Sequence, residues 1–381
     1  MAQDPPQEQL NPFIERCMPE PRVVNVLLEG TNEIHQVEVF VAGMTFQRAY
    51  MVPDIREPTA INHGGPDWGA VSYGYTLERI QGYEPPVFLF PSDASERIDV
   101  AIKRLDKRIF EPLLAQNREN PYREIHRMQT PSLTDGGYVH PLVEALEDDH
   151  YLYIITPFAD GGDLTESIPL QPQENMPVEL QAYQVYKQML DAVNHIHNNP
   201  HIRGQFGIGH RDIKGGNFFV SQGRIRLADF AMSYPIPPGD LVNHMGGFGT
   251  PAYLPPEIAR EGEFSATGCD LWACTVTLFN LVTGMPVYMM PIPTDIFFVY
   301  NIMARGLSND PNGEMVEALF DEADGRGRHA LQEMWQRIQG LSPQLRDLLS
   351  NVLELAPGQR WNMQDVQNSA WMQLSAALLG A

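Results

Sequence analysis

Residues His210–Val220 read HRDIKGGNFFV, with two cations, a carboxylate and an amide inside eight residues ahead of an apolar run. A solvated turn can carry such a mixture, so its meaning depends on what stands elsewhere along the chain. Asp229 follows 17 residues beyond Asp212, in IRLADFA, and far upstream VAIK ends at Lys103. Asp212 can orient a hydroxyl and accept its proton. Asn217 and Asp229 are hard oxygen donors suited to Mg2+. Lys103 can hold the α and β phosphates of a nucleotide, and Lys214, two residues past Asp212, can neutralise the γ phosphate. Phosphoryl transfer needs this set, because it rests on positioning and charge neutralisation rather than on covalent help from the protein.

The remaining composition bounds the function without naming it. With 381 residues, 43% hydrophobic and 19% charged, the chain can bury a large core. Its formal net charge of -22 lacks the basic footprint of a nucleic-acid binder. The three cysteines, Cys17, Cys269 and Cys274, are too sparse for a disulfide framework and fit a reducing compartment. The cytoplasm is therefore expected, with the nucleus left open. The start, MAQDPPQEQLNPF, has no basic segment leading into an apolar one and does not read as a signal peptide. The longest apolar run, Leu271–Gly284, is too short to span a bilayer and reads as a buried helix.

Patterning divides the chain. VVNVLLEG and QVEVFVAGMTF read as strands in an N-terminal extension, residues 1–73, whose first 20 or so residues are rich in Pro, Gln and Glu. Pro53–Trp68 reads as a linker. From Tyr75 strands dominate, in YTLERI, VFLF, DVAIKRL and YLYIITPF. After Pro177 helices dominate, with a stripe of Tyr186, Met189, Leu190, Val193 and Ile196. Ser308–Ala330 reads as an acidic surface insertion. Strands first and helices second predict an α+β protein in two lobes.

In order along the chain, VAIK, HRDIKGGN, DFA, GTPAYLPPE, CDLWACTVTLFNLVTG and APGQRW resemble the motifs of the eukaryotic protein kinase family, serine/threonine type. The resemblance covers roughly Tyr75–Met372. It implies a bilobal kinase fold over residues 74–374, with a strand-rich N-lobe of about 74–156 and a helical C-lobe of about 160–374. It implies a serine/threonine protein kinase using ATP and Mg2+ on a protein substrate, with Asp212 and Lys214 catalytic and Asn217 and Asp229 on the metal. Lys103 would pair with a glutamate, and of Glu111, Glu119 and Glu124 the last is favoured, since Ile125 and Met128 would face the core. Thr156 would be the gatekeeper, Pro157 and Ala159 the adenine hinge, and Asp163 the ribose contact. Val87, Ala101 and Phe219 would close on the base. Asp270 would anchor the catalytic-loop backbone, and Arg360 would pair with Glu257.

The chain departs from the family pattern in three places, the mildest being Pro255-Pro256-Glu257, which keeps the glutamate. Counting back from Val87, the glycine-rich loop keeps only Gly82, with Ile80 and Pro85 in the other glycine places. Ala231 replaces the glycine of DFG, where a positive φ would be costly. A kinase-like nucleotide-binding scaffold with little catalysis is therefore the alternative, while the extension offers a seat for a regulatory partner. Asp240 is a candidate fixed anion for Arg211.

Overall fold

A computed structural model of the chain describes residues 10–45, 47–53, 60–62, 69–116, 119–167, 170, 176–199, 207–243, 249–259, 263–284 and 336–380. The chain forms two compact units, one of Glu8–Asp160 and one of Gly161–Ala381 with Met1–Gln7. The expected acidic insertion, Ser308–Ala330, lies outside the described residues, as do residues 1–9 of the extension and most of the Pro53–Trp68 linker.

Among the described residues the first unit is built on a sheet of eleven strands: β1 Glu15–Arg16, β2 Val23–Leu28, β3 Ile34–Glu38, β4 Val41–Ala42, β5 Arg48–Met51, β6 Ala60–Asn62, β7 Gly69–Ile80, β8 Val87–Phe90, β9 Ile98–Asp106, β10 Glu144–Glu147 and β11 Tyr151–Pro157. Its main path runs β1-β10-β11-β9-β7-β8-β2-β3, with β5 and β6 also on β7 and β4 on β5. The strands of residues 15–62 thus share hydrogen bonds with the same sheet as β7–β11. The expected lobe boundary at 73/74 falls inside β7, and the unit reaches back to Glu8.

Strand alternation sorts the side chains into two cores. Val100 and Ile102 pack with Cys17, Phe40, Tyr50 and Tyr153 on one face. Leu105, Leu152 and Ile154 pack with Phe110, Ile125 and Ala145 on the other. The extension supplies much of the first core. It is pinned by Arg22, 5% exposed, which donates to the Phe40 carbonyl at 2.8 Å and to Asp148 at 2.6 Å. The helix Pro121–Met128 starts where Asn120 accepts from the Tyr122 and Arg123 amides and Pro121 presets the first turn. Its Glu124, Ile125 and Met128 are buried.

The second unit is mainly helical. All five residues of the stripe Tyr186, Met189, Leu190, Val193 and Ile196 are buried along the helix Val178–Asn198. The helix Ala266–Thr283 is apolar on every side and is buried accordingly. Ser265 caps its start through the Gly268 amide, and Gly284 ends it at φ 64°. Glu179, at the start of the Val178–Asn198 helix, accepts from the Ser342 amide and hydroxyl, both at 2.6 Å, and from Trp371 Nε1 at 3.1 Å. One carboxylate thereby ties the C-terminal helices to the rest of the unit. Among the described residues no helix is long and apolar enough to cross a membrane.

Candidate active site

The loop quoted at the outset is held from below by a single carboxylate. Asp270, 1% exposed, accepts from the His210 amide at 2.7 Å, the Arg211 amide at 2.8 Å and His197 Nε2 at 2.8 Å. Burial opposes the Asp270 charge, but these donors outweigh it and hold the carboxyl below its usual range. The clamp matters because Arg211 sits at φ 70°, a left-handed conformation that costs a residue with a Cβ roughly 1–2 kcal/mol. Its guanidinium lies over the Tyr234 ring at 5.6 Å. His210, fully buried, bonds the Ala228 carbonyl at 2.9 Å and stacks edge-on to Phe230 at 4.9 Å.

The bend at Arg211 presents Asp212, 7% exposed, to three donors. Thr250 Oγ1 donates to its Oδ1 at 2.7 Å, Lys214 Nζ to its Oδ2 at 2.9 Å, and Asn217 Nδ2 to its Oδ2 at 3.1 Å. Lys214 Nζ also reaches Thr250 Oγ1 at 3.0 Å. A carboxylate has about four lone-pair sites, so among the described residues one remains for an incoming hydroxyl.

Asn217 sits in the turn Gly215–Asn217 and spends its Nδ2 on Asp212, while its Oδ1 is a hard oxygen donor. Asp229 takes the left-handed conformation, φ 62°, which aspartate tolerates better than most residues. Its neighbours Ala228 and Phe230 are the two that hold His210. Ala231 lies in a short turn and is not among the positive-φ residues, so the expected cost of losing the DFG glycine does not arise. Asp240 does not serve Arg211: its carboxylate accepts from the Ser265 hydroxyl and from the Thr267 amide and hydroxyl, and so caps the Ala266–Thr283 helix. Glu257 accepts both terminal nitrogens of Arg360, one at 2.7 Å, while Arg360 lies over Trp272 at 4.4 Å.

In the first unit Lys103 Nζ lies 2.8 Å from Glu124 Oε2, so of the three glutamates considered it is Glu124 that reaches the lysine. Ala101 stands opposite Thr156 in the β9–β11 register, and Lys103 lies two residues on, on the same face. Pro157 closes β11 with its carbonyl already accepting from His140 Nε2 at 3.0 Å, a partner the sequence did not reveal. Ala159 follows, half-buried. In the second unit Asp163 accepts from the Thr165 amide at 2.7 Å and is bridged to Phe219, whose strand Phe218–Ser221 pairs with Arg224–Leu227.

Gly82 and Val87 require correction. Val87 opens β8, which pairs with β7 and β2, and β7 separates it from the strand of Lys103. Gly82, at φ 89°, has nothing within 4 Å of the Cβ it lacks and serves a turn at the far end of β7. The hairpin beside β9 is β6–β7, and there Val71 stands opposite Lys103. Its sequence, Gly64-Gly65-Pro66-Asp67-Trp68-Gly69-Ala70-Val71, carries the spacing of a glycine-rich loop with proline in the middle glycine place. The glycine spacing is legible in the sequence, within the stretch Pro53–Trp68 that reads as a linker. Residues 63–68 lie outside the described residues. Gly82→Ala is accordingly expected to cost about 1 kcal/mol of stability and to leave the KM for ATP unchanged. A KM several-fold higher would restore Gly82 to the nucleotide site.

Comparison with known proteins follows the same line. The protein kinase domain family matches residues 87–372. The chain is 26% identical over 276 residues to the SNF-related serine/threonine-protein kinase of Homo sapiens, covering 72% of this chain and 30% of that protein. It is 25% identical over 241 residues to the calcium/calmodulin-dependent protein kinase type II subunit delta of Oryctolagus cuniculus, covering 62% and 38%. To the CBL-interacting serine/threonine-protein kinase 21 of Arabidopsis thaliana it is 27% identical over 198 residues, covering 51% and 43%. The matched stretch therefore spans less than half the length of each of these relatives.

Proposed function

The chain belongs to the protein kinase family, and from that premise we propose that it is an active serine/threonine protein kinase that transfers the γ-phosphoryl group of ATP to a protein hydroxyl. One observation carries this reading: Asp212, Lys214, Asn217 and Thr250 form one hydrogen-bonded group around a carboxylate that keeps one acceptor site open. A scaffold has no need of that arrangement.

Asp212 would accept the hydrogen bond of the substrate hydroxyl and take its proton as the bond to phosphorus forms. Lys214, already beside Asp212, would stabilise charge on the phosphoryl group in flight. Asp229 and the Oδ1 of Asn217 are hard oxygen donors of the kind Mg2+ takes, alongside phosphate oxygens and water. ATP supplies the phosphoryl group, and Mg2+ neutralises its charge. Lys103, oriented by Glu124, would hold the α and β phosphates. Ala101, Thr156, Ala159 and Phe219 would contact the base, together with Val71 in place of Val87. Asp163 would offer its second carboxylate oxygen to the ribose. The glycine-rich loop would be Gly64–Gly69. A protein substrate and ATP are the partners, and the extension, woven into the sheet, is a seat for a regulatory one. A role in cytoplasmic signalling fits three free, buried cysteines, of which Cys17 is pushed up to about 12 by burial.

The test is phosphoamino-acid analysis after incubation with Mg2+, ATP and an unstructured protein substrate. Phosphoserine and phosphothreonine are expected, and phosphotyrosine alone would contradict the reading. Asp229→Asn should remove the Mg2+-dependent part of ATP affinity, measured by calorimetry with and without the metal. Unchanged Mg2+ dependence would remove Asp229 from the metal.

A further inference from the structure

The face of the small unit's sheet that carries Val100 and Ile102 also holds a cavity of about 490 Å³, lined among others by Glu20, Arg22, Glu38, Phe40, Arg104 and Tyr153. All of these belong to the Glu8–Asp160 unit. The volume falls in the range that holds small organic ligands. The extension creates the cavity by folding Glu20–Arg22 and Glu38–Phe40 over Arg104 and Tyr153, which face each other across β9 and β11.

The charges lining it differ in how far they are used. Arg22 is committed to Asp148 at 2.6 Å, to Glu20 at 3.0 Å and to the carbonyls of Phe40 and Met18. Arg104 is held by ring faces alone, 4.9 Å from the Tyr151 centroid and 5.7 Å from that of Phe40. Stacking occupies the faces of a guanidinium and leaves its in-plane N–H donors free for a carboxylate. Neither Arg104 nor Glu38 has a hydrogen-bond or ion-pair partner for its side chain among the described residues. The lining is therefore balanced, two arginines against two glutamates, in a chain of net charge -22. That balance offers little to a dianionic phosphate. It suits a molecule bearing one charge of each sign.

We propose that this cavity binds a zwitterionic ligand of amino-acid to dipeptide size, with its carboxylate on Arg104, its ammonium on Glu38 and an apolar side chain against Phe40 and Tyr153. The site is independent of the phosphoryl-transfer chemistry, and its test reads binding rather than activity.

Calorimetric titration of the full chain with the dipeptide leucyl-phenylalanine should show saturable binding. The N-acetylated and C-terminally amidated dipeptides each lack one charge and should bind about tenfold more weakly or worse. Arg104→Gln and Glu38→Gln should lower affinity for the zwitterion by a similar factor. Glu38 is exposed on edge strand β3, so its substitution keeps the test open even if Arg104→Gln fails to fold. No binding at millimolar dipeptide, equal binding of the capped forms, or binding of inorganic phosphate in preference to the dipeptide would each overturn the proposal.

Discussion

Asp270→Ala is expected to destabilise the second unit by on the order of 3–5 kcal/mol, the scale found when one member of a buried charged cluster is removed. The substitution leaves two buried backbone N–H groups, those of His210 and Arg211, and the His197 ring without their acceptor. Each orphaned donor costs about 1–3 kcal/mol. Arg211 would also lose the contact that holds its left-handed backbone. Urea unfolding followed by tryptophan fluorescence, where Trp272 lies two residues from the substitution, measures the loss. Asp270→Asn, which keeps one acceptor oxygen, should lose less. The effect also has a pH signature. Because the folded carboxyl titrates below its unfolded value, its contribution is complete above about pH 4 and disappears as pH falls through the folded value. The gap between wild type and Asp270→Asn should therefore narrow in acid. A variant within about 1 kcal/mol of wild type at neutral pH would show that Asp270 is not the anchor.

The hydrogen-bonded group around Asp212 was largely legible because most of its members are local in sequence. Asp212, Lys214 and Asn217 lie within six residues, and a carboxylate, an ammonium and an amide so spaced have few structural uses. The stripe of the Val178–Asn198 helix and the all-round apolar Ala266–Thr283 helix were legible from periodicity alone. What failed was strand order, which is non-local. Val87 is the first valine ahead of VAIK, and Gly82 stands at a family glycine spacing before it. Instead β7 lies between β8 and β9, and the long 81–97 connection displaces the usual spacing. The alternating residues of β2 and β3 marked strands, but nothing in them told that β2 pairs in parallel with β8, more than fifty residues further on. That the Pro157 carbonyl accepts from His140 was not legible either, because His140 comes from another part of the unit; the carbonyl's second lone pair is untouched by that bond. Asp240 looked like a loop anion, and only the fold brought Ser265 and Thr267 to it.

Asp212→Asn is expected to lower phosphoryl transfer by about 10²- to 10⁴-fold, the usual contribution of a positioned general base. Asparagine keeps the size of the side chain but loses the charge that holds Lys214 at 2.9 Å and the oxygen that receives the Thr250 hydroxyl or the substrate proton. ATP affinity should change little, because Asp212 meets the hydroxyl rather than the nucleotide. The measurement that bears most directly on the proposed activity is therefore Mg2+-dependent transfer of labelled γ-phosphate from ATP to serine or threonine of a protein substrate, with wild type and Asp212→Asn side by side at matched ATP occupancy. Robust labelling by wild type and near-background labelling by the variant is the predicted result. No labelling above background by a wild type that binds ATP, or equal labelling by both, would contradict it.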